Sequence, residues 1–425
     1  MMRVSFKTFG CRLNQAETAG FKSVFEANGF DTVPFREKSD ICIIHSCSVT
    51  QRAESESLRT ARSVKRKHPD TFVALSGCAV ESVTAERLSD LKIDLIIPRH
   101  RKEQLVELIL NNLNMNCSVS STIPAPSFTT SRALLKIQDG CNFFCSYCII
   151  PHNRGEPVSR NFSSCLDEAK TFIDQGFQEI VVTGCNIACY NDGGRRLPDI
   201  LNAIASLPGI GRVRLGSLEP AMIELEIVKL MTESDKICRF LHLPLQNCDD
   251  EILKLMKRRY LSGDMARIIE QILETVPDIA LGTDIITGFP GESDIQFKNT
   301  RNFIERYPFC NLHVFPYSER HGTAAVDFEG CVPHSIRKER AGELIAIGRR
   351  KREKYARSWT GKTSVVLIEK FDKAGKTCGW SGEYLPCRVS GVPEEKRNIL
   401  LGRMMRFEVE RVDGDVLIGC ASNFT

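Results

Sequence analysis

The chain has 425 residues, 42% of them hydrophobic and 26% charged, with a net charge of +4 at neutral pH. That is enough chain for two or three hydrophobic cores and matches ordinary globular composition. "MMRVSFKTFG" has no apolar core of a secretion signal, and no apolar run reaches the roughly 18 residues of a membrane span, so the expected setting is cytoplasmic, without a membrane.

Residues 1–120 read as strands alternating with helices. "MRVSFKTFG", "SDICIIHSC", "TFVALSGC" and "IDLIIP" are strand-like. "NQAETAGFKSVFEANGF" has helical spacing and a stop at Asn28-Gly29; "ESLRTARSVKRKHP" stops at Pro69; "RKEQLVELILNNLN" is amphipathic. Such alternation predicts a doubly wound parallel sheet. "CSVSSTIPAPSFTTSR", rich in Ser, Thr and Pro, reads as a linker.

From residue 127 to 357 the alternation resumes. "ALLKIQ", "EIVVTG", "VRLGS", "FLHLPL", "IALGTDIITGF" and "NLHVFPYS" are six strand candidates, each followed by a helix-compatible stretch. Six βα units fit a partial TIM-type barrel with function at the C-terminal strand ends. The segment Ser335–Arg357 carries nine Lys/Arg against three Glu. It and Arg59–His68 are candidates for phosphate contact, a solvated helix face being the plain alternative. From residue 358 to 425 short strands separated by Gly, Asp and Lys turns, with "VDGDV" as a hairpin signal, predict a small all-β barrel. Ten Lys/Arg there balance nine Asp/Glu.

Eighteen cysteines are many for this length. In a reducing compartment, clustered cysteines suggest metal or catalysis, and the remainder are expected to be small buried residues. "GCNFFCSYC" places Cys141, Cys145 and Cys148 at Cys-x3-Cys-x2-Cys spacing just after the first barrel strand. Thiolates suit zinc or iron–sulfur centres, but a structural zinc site takes four ligands. His152 is the only nearby fourth candidate, and a Cys3His zinc loop stays open on spacing alone. Cys11, Cys47 and Cys78 each follow a strand of the N-terminal sheet. Strand C-termini of such a sheet share one edge, so the three are expected to converge there as a second ligand set.

The Cys-x3-Cys-x2-Cys motif, with Tyr147 before its last cysteine, resembles the radical S-adenosylmethionine (radical SAM) signature. Together with "TFGCRLNQAE", "HSCSVT", "LSGC", "GCNFFCSYCIIPHNRG", "LPLQNCDDEILKLMKRRY", "TDIITGFPGE" and "FPYSERHGTAA", the chain resembles the methylthiotransferase family over essentially its whole length. "GCRLNQAE" and "CSVT" resemble its MtaB-type branch. The resemblance implies an N-terminal methylthiotransferase domain, a radical SAM barrel and a TRAM-like RNA-binding module. It implies two 4Fe–4S clusters, one on Cys141, Cys145 and Cys148 that cleaves SAM to a radical, and an auxiliary one on Cys11, Cys47 and Cys78 that carries the sulfur. Tyr147, Gly184, Asn186, Ser217, Glu219 and Gln246 would contact SAM.

The implied reaction is methylthiolation at C2 of N6-threonylcarbamoyladenosine, immediately 3′ of the tRNA anticodon. The implied partners are the anticodon stem-loop and a flavodoxin- or ferredoxin-like electron donor. Isopentenyl-adenosine in tRNA and an aspartate of a ribosomal protein are alternative substrates of the family. A zinc protein that binds nucleic acid without catalysis is the alternative of another class. Cys185, Cys189 and Cys248 are expected to be incidental. Arg154 and Arg160 flank the motif as ordinary surface arginines or anion contacts. Asp284 is expected to face the pocket or to organise its strand's end.

Overall fold

The computed structural model describes residues 1–115, 126, 128 and 130–421. Most of the expected linker, residues 117–132, lies outside the described residues. The packing groups the chain into two compact units: Met1–Thr129 with Asp139–Pro157 and Ser318–Val326, and Thr130–Gln138 with Val158–Tyr317 and Asp327–Thr425.

The first unit is built on a five-stranded parallel sheet. Its spatial order runs Asp31–Val33, Arg3–Thr8, Ile41–Ser46, Phe72–Gly77, Leu95–Ile96. The edge strand Asp31–Val33 has no counterpart in the sequence reading, because three residues are too few to show a period. All six residues of the central strand "ICIIHS" are buried, as a parallel strand covered on both faces requires. Ile41 and Ile43 enter one core with Val4, Phe25 and Ile109; Cys42 and Ile44 enter the other with Leu58, Val73 and Leu75. Each fully buried aliphatic side chain there contributes about 1.5–3 kcal/mol. Helix Arg12–Ala27 ends at Asn28-Gly29. Helix Gln51–Lys67 starts from Thr50, whose hydroxyl accepts from the Ala53 N–H, and ends in Lys65, Arg66 and Lys67, which complement the helix dipole.

The second unit holds six parallel barrel strands: Ala133–Lys136, Glu179–Thr183, Arg212–Leu215, Phe240–His242, Ala280–Thr287 and Phe309–Pro316. They pair as two three-stranded sheets, joined by single bridges such as Ser217 to His242. The long helix His334–Arg357 then leads to a closed five-stranded barrel of Thr363–Phe371, Thr377–Trp380, Pro386–Ser390, Met404–Asp413 and Val416–Ala421. In its last hairpin Asp413 pairs with Val416 across Gly414-Asp415, the turn signalled by "VDGDV". The α/β class with parallel sheet, partial barrel and terminal β-barrel is the one the sequence predicts.

The two barrels are fastened by a buried ionic group. Glu179 accepts from Arg212 at 2.6 Å and Arg214 at 2.7 Å. The same arginines donate to the backbone carbonyls of Val365, Trp380, Ser381 and Gly382 in the terminal barrel. Burial works to raise the Glu179 carboxyl, but Arg214, Arg212 and Arg132 outweigh it and hold it at about 2.

Candidate active site

All six cysteines of the two expected sets lie in the first unit. Cys11 is the extended residue before helix Arg12–Ala27, Cys47 follows strand Ile41–Ser46 directly, and Cys78 follows strand Phe72–Gly77 directly. Their strands are adjacent and parallel, so the three cysteines stand at one edge of the sheet. Cys47 feels the charges of both Cys78 and Cys11, and Cys78 that of Cys11. Burial pushes the Cys47 thiol up to about 11, and burial likewise raises Cys78, against the charge and hydrogen bond of Arg154.

Two buried polar residues tie these ends together. The Asn14 amide donates to the carbonyls of Phe9 and Ser46 at 2.9 and 3.0 Å, joining the approach to Cys11 with the approach to Cys47. The Ser46 hydroxyl donates to the Ser76 carbonyl at 2.7 Å and accepts from the Ala79 N–H at 3.1 Å, on either side of Cys78. Gly10, at φ +90°, closes the cradle: a Cβ there would lie 2.6 Å from Cys47 Sγ.

The motif cysteines sit on a compact loop. The Cys148 N–H donates to the Cys145 carbonyl at 2.9 Å, and the Cys141 N–H to the Gly155 carbonyl at 2.8 Å. Gly140, at φ +75°, is again irreplaceable, since a Cβ would fall 2.0 Å from the Glu156 carbonyl oxygen. Phe144 adopts the left-handed region at φ +48° without being glycine, a strain that typically accompanies function. Its ring meets His152 edge-on at 5.8 Å, and His152 is exposed. One set thus offers three soft thiol donors at a sheet edge and the other three on one loop, the donor chemistry that a 4Fe–4S cluster takes.

Arg154 links the two sets. Sequence alone makes it a surface residue or an anion contact; in the structure it is 3% exposed. Its guanidinium donates to Asn14 Oδ1 at 2.6 Å, Asp139 at 2.9 Å and Glu17 at 3.1 Å, and it hydrogen-bonds the Cys78 thiol. Lys102 joins the same carboxylates, 2.5 Å from Glu17 and 3.8 Å from Asp139, so two cations face two carboxylates. Nearby, the Asn153 amide donates to the Ser48 hydroxyl at 2.5 Å, and buried Arg320 of "SERHGT" pairs with Glu54. Asn14 and Glu17 have no place among the site residues expected from sequence. The available signal was polar residues at core positions of helix Arg12–Ala27.

The remaining expected SAM contacts other than Tyr147 lie in the second unit, at barrel-strand ends. Gly184 follows strand Glu179–Thr183, and a Cβ on it would meet the Gln138 carbonyl at 2.8 Å. The Asn186 N–H donates to Gln138 Oε1 at 2.8 Å; its own side-chain Oδ1 is buried without a partner, an acceptor waiting for a donor. Ser217 is exposed, whereas Glu219 binds Arg258 through both carboxylate oxygens, at 2.7 and 2.8 Å. Gln246 holds φ +65° while its backbone N–H donates to the Asp284 carbonyl. Arg160 donates to the Lys136 carbonyl and pairs with Glu168. Cys248 is buried, and burial pushes its thiol well up, as expected of an incidental cysteine.

Of the expected phosphate contacts, helix His334–Arg357 uses part of its charge internally. Arg337 and Arg340 are buried, on the Val332 and Tyr317 carbonyls and on Glu292. Arg352 holds Asp415 and the Tyr384 carbonyl. On helix Gln51–Lys67, by contrast, Arg59, Arg62, Arg66 and Lys67 are exposed. No helix among the described residues is long and apolar enough to cross a membrane.

A family model described as "Radical SAM superfamily" matches residues 135–304, and one described as "Uncharacterized protein family UPF0004" matches residues 3–98. Among solved structures, the radical S-adenosylmethionine methyltransferase TsrM from Kitasatospora setae, with cobalamin and a 4Fe–4S cluster bound, aligns at TM-score 0.59. It covers 77% of each chain at 13% identity, a likeness of fold. The fold and the two cysteine sets thus define a radical SAM enzyme, and S-adenosylmethionine and 4Fe–4S clusters are the cofactors of that class.

Curated relatives narrow the class. The chain is 36% identical to the threonylcarbamoyladenosine tRNA methylthiotransferase MtaB of Chlamydia pneumoniae over 85% of either chain. It is 32% identical to the protein of the same name from Thermotoga maritima, over 93% of this chain and 96% of that one. It is also 31% identical to a tRNA-2-methylthio-N(6)-dimethylallyladenosine synthase of Thermodesulfovibrio yellowstonii, over 97% of this chain and 98% of that one. The chain belongs to the radical SAM methylthiotransferase family and is of MtaB type.

Proposed function

We propose that this enzyme methylthiolates C2 of N6-threonylcarbamoyladenosine immediately 3′ of the tRNA anticodon, using two molecules of SAM and two 4Fe–4S clusters. Cys141, Cys145 and Cys148 hold the cluster that serves SAM; Cys11, Cys47 and Cys78 hold the auxiliary one. When bound, these groups supply the radical and sulfur chemistry that no side chain offers at an aromatic C–H carbon. The observation that carries the reading is the gathering of both cysteine sets in one compact unit, with Arg154 reaching from the motif helix to Cys78.

The chain's own residues position and shield. Asn14 and Ser46 fix the backbone beside the auxiliary thiols, Gly10 leaves room for the Cys47 side chain, Gly140 lets the motif loop close on Glu156, and Arg154 keeps positive charge beside Cys78. Tyr147, Gly184, Asn186, Ser217, Glu219 and Gln246 contact SAM, with the unpartnered Asn186 Oδ1 receiving one of its donors. The substrate base must leave its stack to be reached, which costs little in a single-stranded loop. Exposed Arg59, Arg62, Arg66 and Lys67 meet the tRNA backbone. The enzyme works in the cytoplasm with a flavodoxin- or ferredoxin-like electron donor.

The test is mass spectrometry of nucleosides from tRNA of cells lacking the protein. The expected result is loss of 2-methylthio-N6-threonylcarbamoyladenosine with accumulation of its unthiolated precursor. Loss of the isopentenyl counterpart instead would move the enzyme to the other tRNA branch, where relatives of 31% identity lie. An unchanged tRNA profile would overturn the reading.

A further inference from the structure

One cluster of metal-ligand side chains uses none of the cysteines. His242 ends strand Phe240–His242, Asp284 lies within strand Ala280–Thr287, and His313 stands opposite Asp284 on strand Phe309–Pro316. The three come from three consecutive parallel strands of the second unit and share one face. Residues two apart on a strand point the same way. A Cβ on Gly282 would meet His242 Nδ1 at 2.8 Å, which puts His242 over the face that Gly282 shares with Asp284. Leu312 packs against Gly348 of the long helix, so its neighbour His313 points away from that helix.

The nitrogens converge on one atom. His242 Nε2 lies 3.0 Å and His313 Nδ1 3.1 Å from the same Oδ1 of Asp284. The three ligand atoms all lie within 4.8 Å of one another. Neighbouring ligands on a cation with bonds of about 2.1 Å stand about 3.0 Å apart at octahedral and about 3.4 Å apart at tetrahedral angles, close to the two His–Asp separations found here. Among the described residues, the Asp284 carboxylate has no Lys or Arg partner and no hydrogen bond beyond these two imidazoles. It is a carboxylate whose only partners are two imidazoles, groups that can serve it either as protonated counter-ions or as neutral co-ligands. His242 is buried whereas His313 is half exposed, which leaves a way in.

We propose that His242, Asp284 and His313 bind one divalent transition-metal cation, zinc or ferrous iron, in addition to the iron of the cysteine-bound clusters. Two imidazoles and a carboxylate on one side of the ion form the triad that suits these metals and leaves the opposite positions open to water or an anionic oxygen. The open positions make it a site for ligand exchange; a closed structural site would use a fourth side chain.

The experiment dialyses the fully reconstituted, anaerobic enzyme against micromolar zinc and counts zinc, iron and sulfide in one sample by mass spectrometry and sulfide assay. Asp284→Asn and His313→Ala are treated in parallel. Wild type should take up about one equivalent of zinc with iron and sulfide unchanged. Either substitution should weaken zinc at least about tenfold. His313 is exposed enough for His313→Ala to report even where Asp284→Asn disturbs the barrel. Wild type that binds no zinc has only a hydrogen-bonded His–Asp–His group, and the proposal fails. Uptake equal in wild type and both variants means that zinc sits elsewhere, on cysteines included, and the proposal fails equally.

Discussion

The two cysteine sets reach similar donor arrangements by opposite routes. Cys141, Cys145 and Cys148 are gathered by one loop, closed by a turn from Cys148 to Cys145 and anchored through Gly140 and Gly155. Cys11, Cys47 and Cys78 come from three strands and are gathered only when those strands pair in register. The first set depends on local geometry, the second on the fold of a whole sheet and on Asn14 and Ser46 within it. A loop can therefore announce its chemistry in a motif, whereas a sheet edge announces it only through topology.

Removing one thiol from each set tests that division most severely. Cys145→Ala should abolish both reductive cleavage of SAM and methylthiolation. Cys11→Ala should abolish methylthiolation while cleavage of SAM persists, measured as 5′-deoxyadenosine released. Loss of cleavage in Cys11→Ala, with the motif cluster intact by spectroscopy, would erase the distinction between the sets.

The glycines offer a subtler version. Gly10→Ala drives a methyl group to 2.6 Å from Cys47 Sγ, and Gly140→Ala drives one to 2.0 Å from a backbone carbonyl. Both also force a left-handed φ on alanine, a strain of about 1–3 kcal/mol. Each variant should retain about half the iron and sulfide of wild type after reconstitution. Electron paramagnetic resonance should show the motif cluster surviving in Gly10→Ala and the auxiliary one in Gly140→Ala. Identical losses in the two variants would mean that the cradles are not independent.

The same contrast explains what the sequence could convey. The motif loop, the strand-helix alternation and "VDGDV" are local patterns, and each is legible in the chain. Convergence of Cys11, Cys47 and Cys78 was legible too, because parallel topology sends all strand C-termini to one edge. Arg154 was not: nothing local marks it as buried, since its partners Asn14 and Glu17 lie far away in the chain. The packing of the motif loop with the N-terminal sheet was hidden for the same reason, as chain order assigns that loop to the barrel. The basic helix shows a further limit, because charge counts cannot tell Arg337 and Arg340, which point inward, from Lys338, Arg349 and Arg350, which are exposed.

Arg154 is where the two routes meet, and its substitution should affect both. Arg154→Ala takes one cation from Glu17 and Asp139, which keep Lys102. Removing one partner from a buried ion group costs about 3–5 kcal/mol, read as a lower urea midpoint. It also withdraws a cation and a hydrogen bond from Cys78, which favours the oxidised auxiliary cluster. The midpoint potential of that cluster should fall by something on the order of tens of millivolts, with the motif cluster shifting less. Arg154→Lys keeps the charge but not the planar fork, and should recover the potential better than the stability. Equal shifts in both clusters would argue against a specific link through Cys78.

A second buried ionic group, which touches none of the six cysteines, sharpens the contrast with Arg154. Glu179 joins Arg212 and Arg214, and those arginines hold carbonyls of the terminal barrel, so this group fastens and does not tune. The Glu179 carboxyl is held at about 2 against an ordinary 4.5. A carboxyl depressed by folding contributes stability that is complete above its unfolded value and is lost as pH falls from about 4.5 towards 2. The shift corresponds to about 3 kcal/mol. Trp359 and Trp380, the chain's two tryptophans, both lie in the terminal segment from Ser358, and Arg212 donates to the Trp380 carbonyl, so their fluorescence reports on this anchorage. Urea unfolding followed at Trp should show Glu179→Gln less stable than wild type by about that amount at pH 7, with the gap narrowing below about pH 4.5 and closing only towards pH 2. The arginines keep their carbonyl acceptors in the variant, so it should fold, and cluster absorbance at pH 7 should match wild type. A gap that stays open in acid would place the contribution of Glu179 in packing and not in charge. Altered clusters at neutral pH would show that the fastening network and the cysteine sets are coupled after all.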